Sequence, residues 1–137
     1  MIPPIHQAFQ FLQQNRPADA LKTLQMLSNQ SASDPNIDFL LGIALSMLGR
    51  KTEAVDVYQR VIARHPENAG AYLNLGADLY SLGRYGDSLT NLVHAQKIDP
   101  KNPMIALNIG NAHKAIGKIE AALTAYELAL SLEPNYA

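Results

Sequence analysis

Four histidines, His6, His65, His94 and His113, are the residues of this 137-residue chain best suited to acid–base or metal chemistry. A helical metal site needs two ligands on one face, as at i and i+4, and none of the four has such a partner. Cysteine is absent, which removes disulfides, thiolate metal sites and a cysteine nucleophile. Carboxylates such as Glu120 and Glu127 lack the cleft and polar cluster that would divide them into an acid and a base. No phosphate-cradling glycine loop, Gly-x-Ser-x-Gly elbow or nicotinamide-binding glycine pattern occurs. These residues alone predict no catalytic constellation, no cofactor and no metal.

Composition narrows the class further. Apolar residues make up 47% and charged residues 17%, the balance of a chain with a core. A net charge of −1 argues against nucleic acid, which is bound mainly through clustered Lys and Arg. Met1-Ile-Pro-Pro-Ile has no basic region and no long apolar run, so no signal peptide is predicted. The most apolar stretch, 39–48, is interrupted by Gly42 and Ser46 and is about half of the roughly 20 residues a membrane span needs. A soluble, cytoplasmic protein without an anchor is expected.

The elements that must position any site follow from a repeat. Gly49-Arg50, Gly83-Arg84 and Gly117-Lys118 recur every 34 residues, and Asn15-Arg16 stands one step earlier. Gly42, Gly76 and Gly110 keep the same period, with Ala8 before them, as do Pro66, Pro100 and Pro134 and the small residues Ala20, Ala54, Ser88 and Ala122. The period divides the chain into units 1–34, 35–68, 69–102 and 103–136, read as one domain, 1–137. Each unit reads as two helices. Tyr72, Leu75, Gly76 and Leu79 keep the i, i+3, i+4, i+7 rhythm of a helix face, Gly83 suits a C-terminal cap, and Pro100 stops the second helix. Arg16, Arg50, Arg84 and Lys118 follow the first helices, while Asp19, Glu53 and Asp87 open the second ones, as helix dipoles favour. The mid-helix glycines predict a close helix–helix approach, with Ala54, Ser88 and Ala122 as the facing small residues.

This pattern resembles the tetratricopeptide repeat, and it is similar to the arrays that precede O-linked N-acetylglucosamine transferase-type glycosyltransferases. The third unit matches best, through Tyr72, Leu75, Gly76, Leu79, Ser88, Leu92, Ala95 and Pro100. The second has Asp38 in an aromatic slot, the fourth has Ala106 and His113 in two, and the first is degenerate, with Pro4, Gln7 and Ala32 out of pattern. The resemblance implies an all-α, right-handed solenoid of four helical hairpins, about eight antiparallel helices, whose concave face takes peptide ligands. The implied groove residues include Ile5, Phe9, Leu12, Phe39, Ile43 and Met47, an apolar half, and Asn74, Tyr80, Asn108, Asn111 and Lys114, a polar half.

The helix carrying Ile37, Phe39, Leu40, Leu41, Ile43, Ala44, Leu45, Met47 and Leu48 is apolar nearly all round. That stripe is either core tiled by neighbouring repeats or a seat for an apolar or amphipathic segment. Asn74 and Asn108 share a slot; they either read a peptide backbone or hold a residue common at that slot in the family. The family's clamp for a terminal carboxylate has no working register here. Asp78 stands where alanine is usual and is expected to be half-exposed, and His113 is expected to pack in the core. The leading expectation is a scaffold for a protein or peptide partner. The alternatives are the recognition region of a larger enzyme such as a glycosyltransferase, suggested by Leu132-Glu-Pro-Asn-Tyr-Ala reading as a handover to another repeat, and a homo-oligomer through uncapped ends.

Overall fold

The computed structural model describes residues 2–30 and 34–133. Among them are eight α-helices and no strand: α1 (Pro4–Gln13), α2 (Pro17–Gln30), α3 (Pro35–Met47), α4 (Lys51–Arg64), α5 (Ala69–Ser81), α6 (Tyr85–Ile98), α7 (Pro103–Ile116) and α8 (Ile119–Leu132). Ala32 and the tail from Pro134 lie outside the described residues. The helices form two compact units, Met1–Pro66 and Glu67–Ala137, each holding two hairpins. Within the first, successive helices pack and α1 also meets α3; within the second, α5 also meets α7.

The same local chemistry builds each hairpin. The first helices of the last three repeats open on Asp34, Asn68 and Asn102, whose side chains accept from Asn36 N, Ala71 N and Met104 N. Each satisfies one of the orphan amides of a helix start, worth about 1 kcal/mol. The turns then pass through the left-handed region at Gly49, Gly83 and Gly117, with φ of 79°, 78° and 92°, and at Asn15, with φ of 58°. The next residue's amide returns to the helix: Arg50 N bonds Leu45 O at 2.9 Å and Arg84 N bonds Leu79 O at 2.9 Å. The basic residues there do not cap with their side chains. Instead Arg16, Arg50 and Arg84 each hold the acid three residues on, Asp19, Glu53 and Asp87.

In the first unit the core is Leu24, Tyr58 and Val61, sealed by Ala8, Ala20 and Ala54. In the second it is Leu75, Leu79, Leu92 and Ile105, sealed by Ala71, Ala95 and Ala122. Burying each large side chain contributes about 1.5–3 kcal/mol.

The close approach falls at the three mid-helix glycines, and the atoms nearest to them belong to bulky side chains. A Cβ on Gly42 would lie 2.5 Å from Tyr58 Cε1, one on Gly76 2.6 Å from Leu92 Cγ, and one on Gly110 2.5 Å from Tyr126 Cε1. The glycines make room for a large side chain lying flat across the helix. Ser88 faces its glycine directly, through a 2.6 Å hydrogen bond from its Oγ to Gly76 O. Asp78 is corrected: it is 4% exposed. Three residues past buried Leu75 and one before buried Leu79, it is carried inward by the helix phase.

Candidate binding surfaces

In the first unit, α3 is apolar all round and its sides meet different fates. Ile37, Leu41, Ala44 and Leu45 are buried, Phe39, Leu40 and Ile43 are half-buried, and Met47 is 42% exposed. The Phe39 ring tilts against that of Tyr58, 6.2 Å between centroids, so one edge of the stripe belongs to the core. Its other edge meets α1. Ile5, His6, Phe9, Asp34, Asn36, Phe39 and Leu40 line a depression of about 350 Å³. Three of the six expected apolar residues, Ile5, Phe9 and Phe39, are thus brought together. Leu12 is half-buried, and neither it nor Ile43 or Met47 lines this depression. Phe9 is 48% exposed, so the floor is wet and apolar. Asp34, which caps α3, supplies a carboxylate at the rim that the sequence reading missed, although Asp34, Asn68 and Asn102 keep the same period and would have pointed to it.

Elsewhere in this unit, Leu41, Leu45 and Val57 floor a second crevice of about 290 Å³, edged by Gln25, Arg50, Glu53, Asp56 and Arg60. Arg50 donates twice to Glu53, at 2.6 and 2.8 Å, and these hydrogen bonds hold the Glu53 carboxyl below its ordinary pKa. Asp38, in its aromatic slot, lies 3.9 Å from Arg60.

The second unit presents a polar first-helix face. Asn74, Asn108 and Asn111 are half-buried, Tyr80 is 37% exposed and Lys114 is exposed. Asn108 Nδ2 donates to the carbonyl of Met104 on its own helix at 2.9 Å. The Tyr126 hydroxyl donates to Asn111 Oδ1 at 2.7 Å. Burial, and secondarily the neighbouring Tyr80, push the Tyr126 pKa up, so its hydroxyl keeps its proton. Tyr80 also meets Tyr85, 5.2 Å between ring centroids. The sequence reading missed the parts played by Tyr85 and Tyr126, which lie on second helices and touch the face only by reaching back.

Two apolar features complete this unit. Ile119, Ala122, Leu123, Tyr126 and the stem of Lys114 line a hollow of about 200 Å³. Around His113 lies a crevice of about 470 Å³, walled by Gln96, Ile109, Ala121, Thr124, Ala125 and Leu128. His113 is half-buried, yet its Nδ1 is enclosed and has no hydrogen-bond partner among the described residues. His94 stacks on Tyr72, 4.6 Å between centroids. No group of three or more His, Asp or Glu among the described residues is placed to hold a metal ion, and no described helix is long and apolar enough to cross a membrane.

Two models of the tetratricopeptide repeat match, one over residues 10–69 and 39–103 and another over 105–136. Anaphase-promoting complex subunit 3 of Dictyostelium discoideum is 30% identical over 96 residues, 69% of this chain. The Hsp70-Hsp90 organizing protein of Triticum aestivum is 33% identical over 94 residues, again 69% of this chain. The chain spans only 10% and 16% of these two relatives' own length. Among solved structures, MamA from Desulfovibrio magneticus superposes with a TM-score of 0.88 at 25% identity, covering 96% of this chain and 74% of that one. A thermophilic TPR protein of Thermus thermophilus superposes with a TM-score of 0.85 at 22% identity, covering 96% and 73%. The fold is the all-α solenoid of helical hairpins that these structures share.

Proposed function

We infer that this chain, which belongs to the tetratricopeptide repeat family, is a protein-interaction scaffold that receives partner segments on its first-helix faces. The observation that carries this reading is the wet apolar depression between α1 and α3, with Phe9 48% exposed on its floor. Water held against such a floor is released when an apolar or amphipathic segment docks, a gain of about 25 cal/mol per Å². The polar face on α5 and α7 takes a less apolar partner segment. Relatives whose names denote a chaperone organizer and a subunit of a complex are in keeping with partner binding.

The test is a pull-down from source lysate read by mass spectrometry. It compares the parent chain with Phe9→Glu and with the double variant Asn74→Ala, Asn108→Ala, all checked for helicity. Phe9 is the better probe than Phe39, because Phe39 also touches the core residue Tyr58. Loss of a shared partner on either variant is expected. Identical partners on all three would remove the reading.

A second reading has its own observation. Ile119, Leu123 and Leu130 on α8 are 54%, 54% and 53% exposed. Leu21, which holds the slot of Leu123 three repeats earlier, is 8% exposed on α2, which packs on α3. An α8 face of this kind suits self-association. Sedimentation equilibrium that finds only monomer at high concentration rules it out.

A further inference from the structure

On α8, Ile119, Leu123, Tyr126 and Leu130 fall at i, i+4, i+7 and i+11, a single seam along the helix. Ile119, Leu123 and Leu130 are 54%, 54% and 53% exposed. In α2, which α3 covers, the two central slots of this seam hold Leu21 and Leu24, 8% and 0% exposed. In α6, which α7 covers, they hold Leu89, half-buried, and Leu92, buried. The α8 seam is thus built like a packed one, yet among the described helices only α7 packs on α8. Its hollow of about 200 Å³ is lined on α8 by Ile119, Ala122, Leu123 and Tyr126, at i, i+3, i+4 and i+7. Four residues so spaced form the hole that receives one knob of a facing helix.

Beside the seam stand charges that the other repeats lack. Glu120 follows Ile119 and Glu127 follows Tyr126, so both lie on one flank, a heptad apart. Both are exposed, and neither pairs with a described cation. The matching slots hold Ala18, Thr52 and Gly86, and Gln25, Gln59 and Val93, all uncharged.

We propose that this face docks an amphipathic helix of a partner protein, one that carries Lys or Arg a heptad apart beside its apolar seam. The helix lies antiparallel to α8, which sets the two helix dipoles in opposition. One apolar knob fills the hollow, its neighbours cover Leu123 and Leu130, and its cations meet Glu120 and Glu127. Exposure alone also suits a second copy of this chain, but charge does not. In an antiparallel pair the same flank of each helix meets, so two α8 helices would set carboxylates against carboxylates. A head-to-tail stack fares no better. The helices that cover a preceding second helix, α3 and α7, bury Ile37 and Ala44, and Ile105 and Ala112, whereas α1 has Pro3 and Gln10 at those slots. This surface lies on a second helix, apart from the first-helix faces of the proposed function.

The probe is a blocked peptide of three Leu-Ala-Gln-Leu-Lys-Gln-Ala repeats, whose lysine follows the second leucine as Glu120 follows Ile119. It is titrated into the isotope-labelled full chain, below the concentration at which it associates with itself, beside an analogue with Glu for Lys. Expected are shifts of the backbone amides of residues 119–130 and tighter binding of the Lys peptide. Glu120→Gln with Glu127→Gln should weaken that binding about three- to tenfold, and Leu123→Ser about tenfold. All three side chains are exposed, so the variants should keep the parent's helicity by circular dichroism. Glu120→Lys with Glu127→Lys should reverse the preference and favour the Glu peptide. Equal affinity for the two peptides, or no reversal, overturns the charge-matched occupant. Absence of α8 shifts overturns the site, and shifts confined to α1 and α3 do so while leaving the first-helix reading intact. Concentration-dependent shifts of the α8 amides without peptide assign the seam to a second copy and overturn the proposal as well.

Discussion

The hairpin α3–α4 and the hairpin α7–α8 occupy the same places two repeats apart, and they invert each other's chemistry. Leu41, Leu45, Glu53, Asp56, Val57 and Arg60 line a crevice in the first unit; Ile109, His113, Ala121, Thr124, Ala125 and Leu128 line the matching one in the second. The first couples an apolar first-helix face to a charged crevice. The second couples a polar face to an apolar crevice with one imidazole nitrogen enclosed in it. A hairpin's fold depends on its small, buried slots, and those agree. The more exposed lining slots, Glu53, Asp56 and Arg60 against Ala121, Thr124 and Leu128, are released from that duty, so they are where two copies of one scaffold diverge in what they can bind.

Exchanging the residue that most separates the crevices should give the largest effect. Leu45→His puts a polar ring where a 5% exposed leucine packs, and should destabilise the first unit by about 2–4 kcal/mol. The reciprocal His113→Leu removes the unpartnered Nδ1 and should stabilise the second unit by about 1 kcal/mol. Urea denaturation followed by circular dichroism measures both. Changes of the same sign would mean that the crevices differ less than their linings suggest.

The glycines offer a sharper version at smaller amplitude. Gly42→Ala drives a methyl into the ring of Tyr58, which is 1% exposed and has nowhere to go. After the roughly 1 kcal/mol gain in helix propensity, it should still destabilise by about 1–2 kcal/mol. Gly110→Ala meets Tyr126, which is only half-buried and can swing aside, so it should be within about 0.5 kcal/mol of neutral while breaking the Tyr126–Asn111 hydrogen bond. Equal losses in the two variants would show that Tyr126 is as fixed as Tyr58.

Acid titration should give the smallest difference. Hydrogen bonds from Arg50 lower the folded-state pKa of Glu53 below its ordinary 4.5, so its contribution is present above that value and is lost as pH falls through the folded pKa. Ala121 occupies the matching slot in the second unit. Glu53→Gln should therefore flatten the acid limb of the first unit's stability slightly, since both partners are solvent-exposed and screened. An unchanged acid limb would mean that the ion pair contributes nothing.

Much of this was legible in the residues. The 34-residue spacing of Gly49, Gly83 and Gly117 located the turns, because only a residue tolerant of positive φ closes a helix that way. The apolar rhythm placed the core faces, and Ile5, Phe9 and Phe39 were expected together and are found lining one depression. Less legible were contacts that cross between helices. Asp78 was expected half-exposed because its type suggests solvent, whereas the helix phase buries it. That Tyr58, Leu92 and Tyr126 fill the space at the mid-helix glycines was not read from the sequence, since complementarity pairs a gap with a bulk on another helix.

By itself, the sequence determined that the chain forms helical hairpins and where the turns inside them fall. Both follow from periodicity and local backbone preference, which act between residues near in the chain. Only the tertiary structure decided which way the Asn111 amide points, which edge of the α3 stripe stays wet and where His113 Nδ1 lies. Those depend on groups twelve or more residues distant, such as Tyr126 on Asn111 or Ser88 on Gly76, meeting in space, and no spacing rule encodes the meeting.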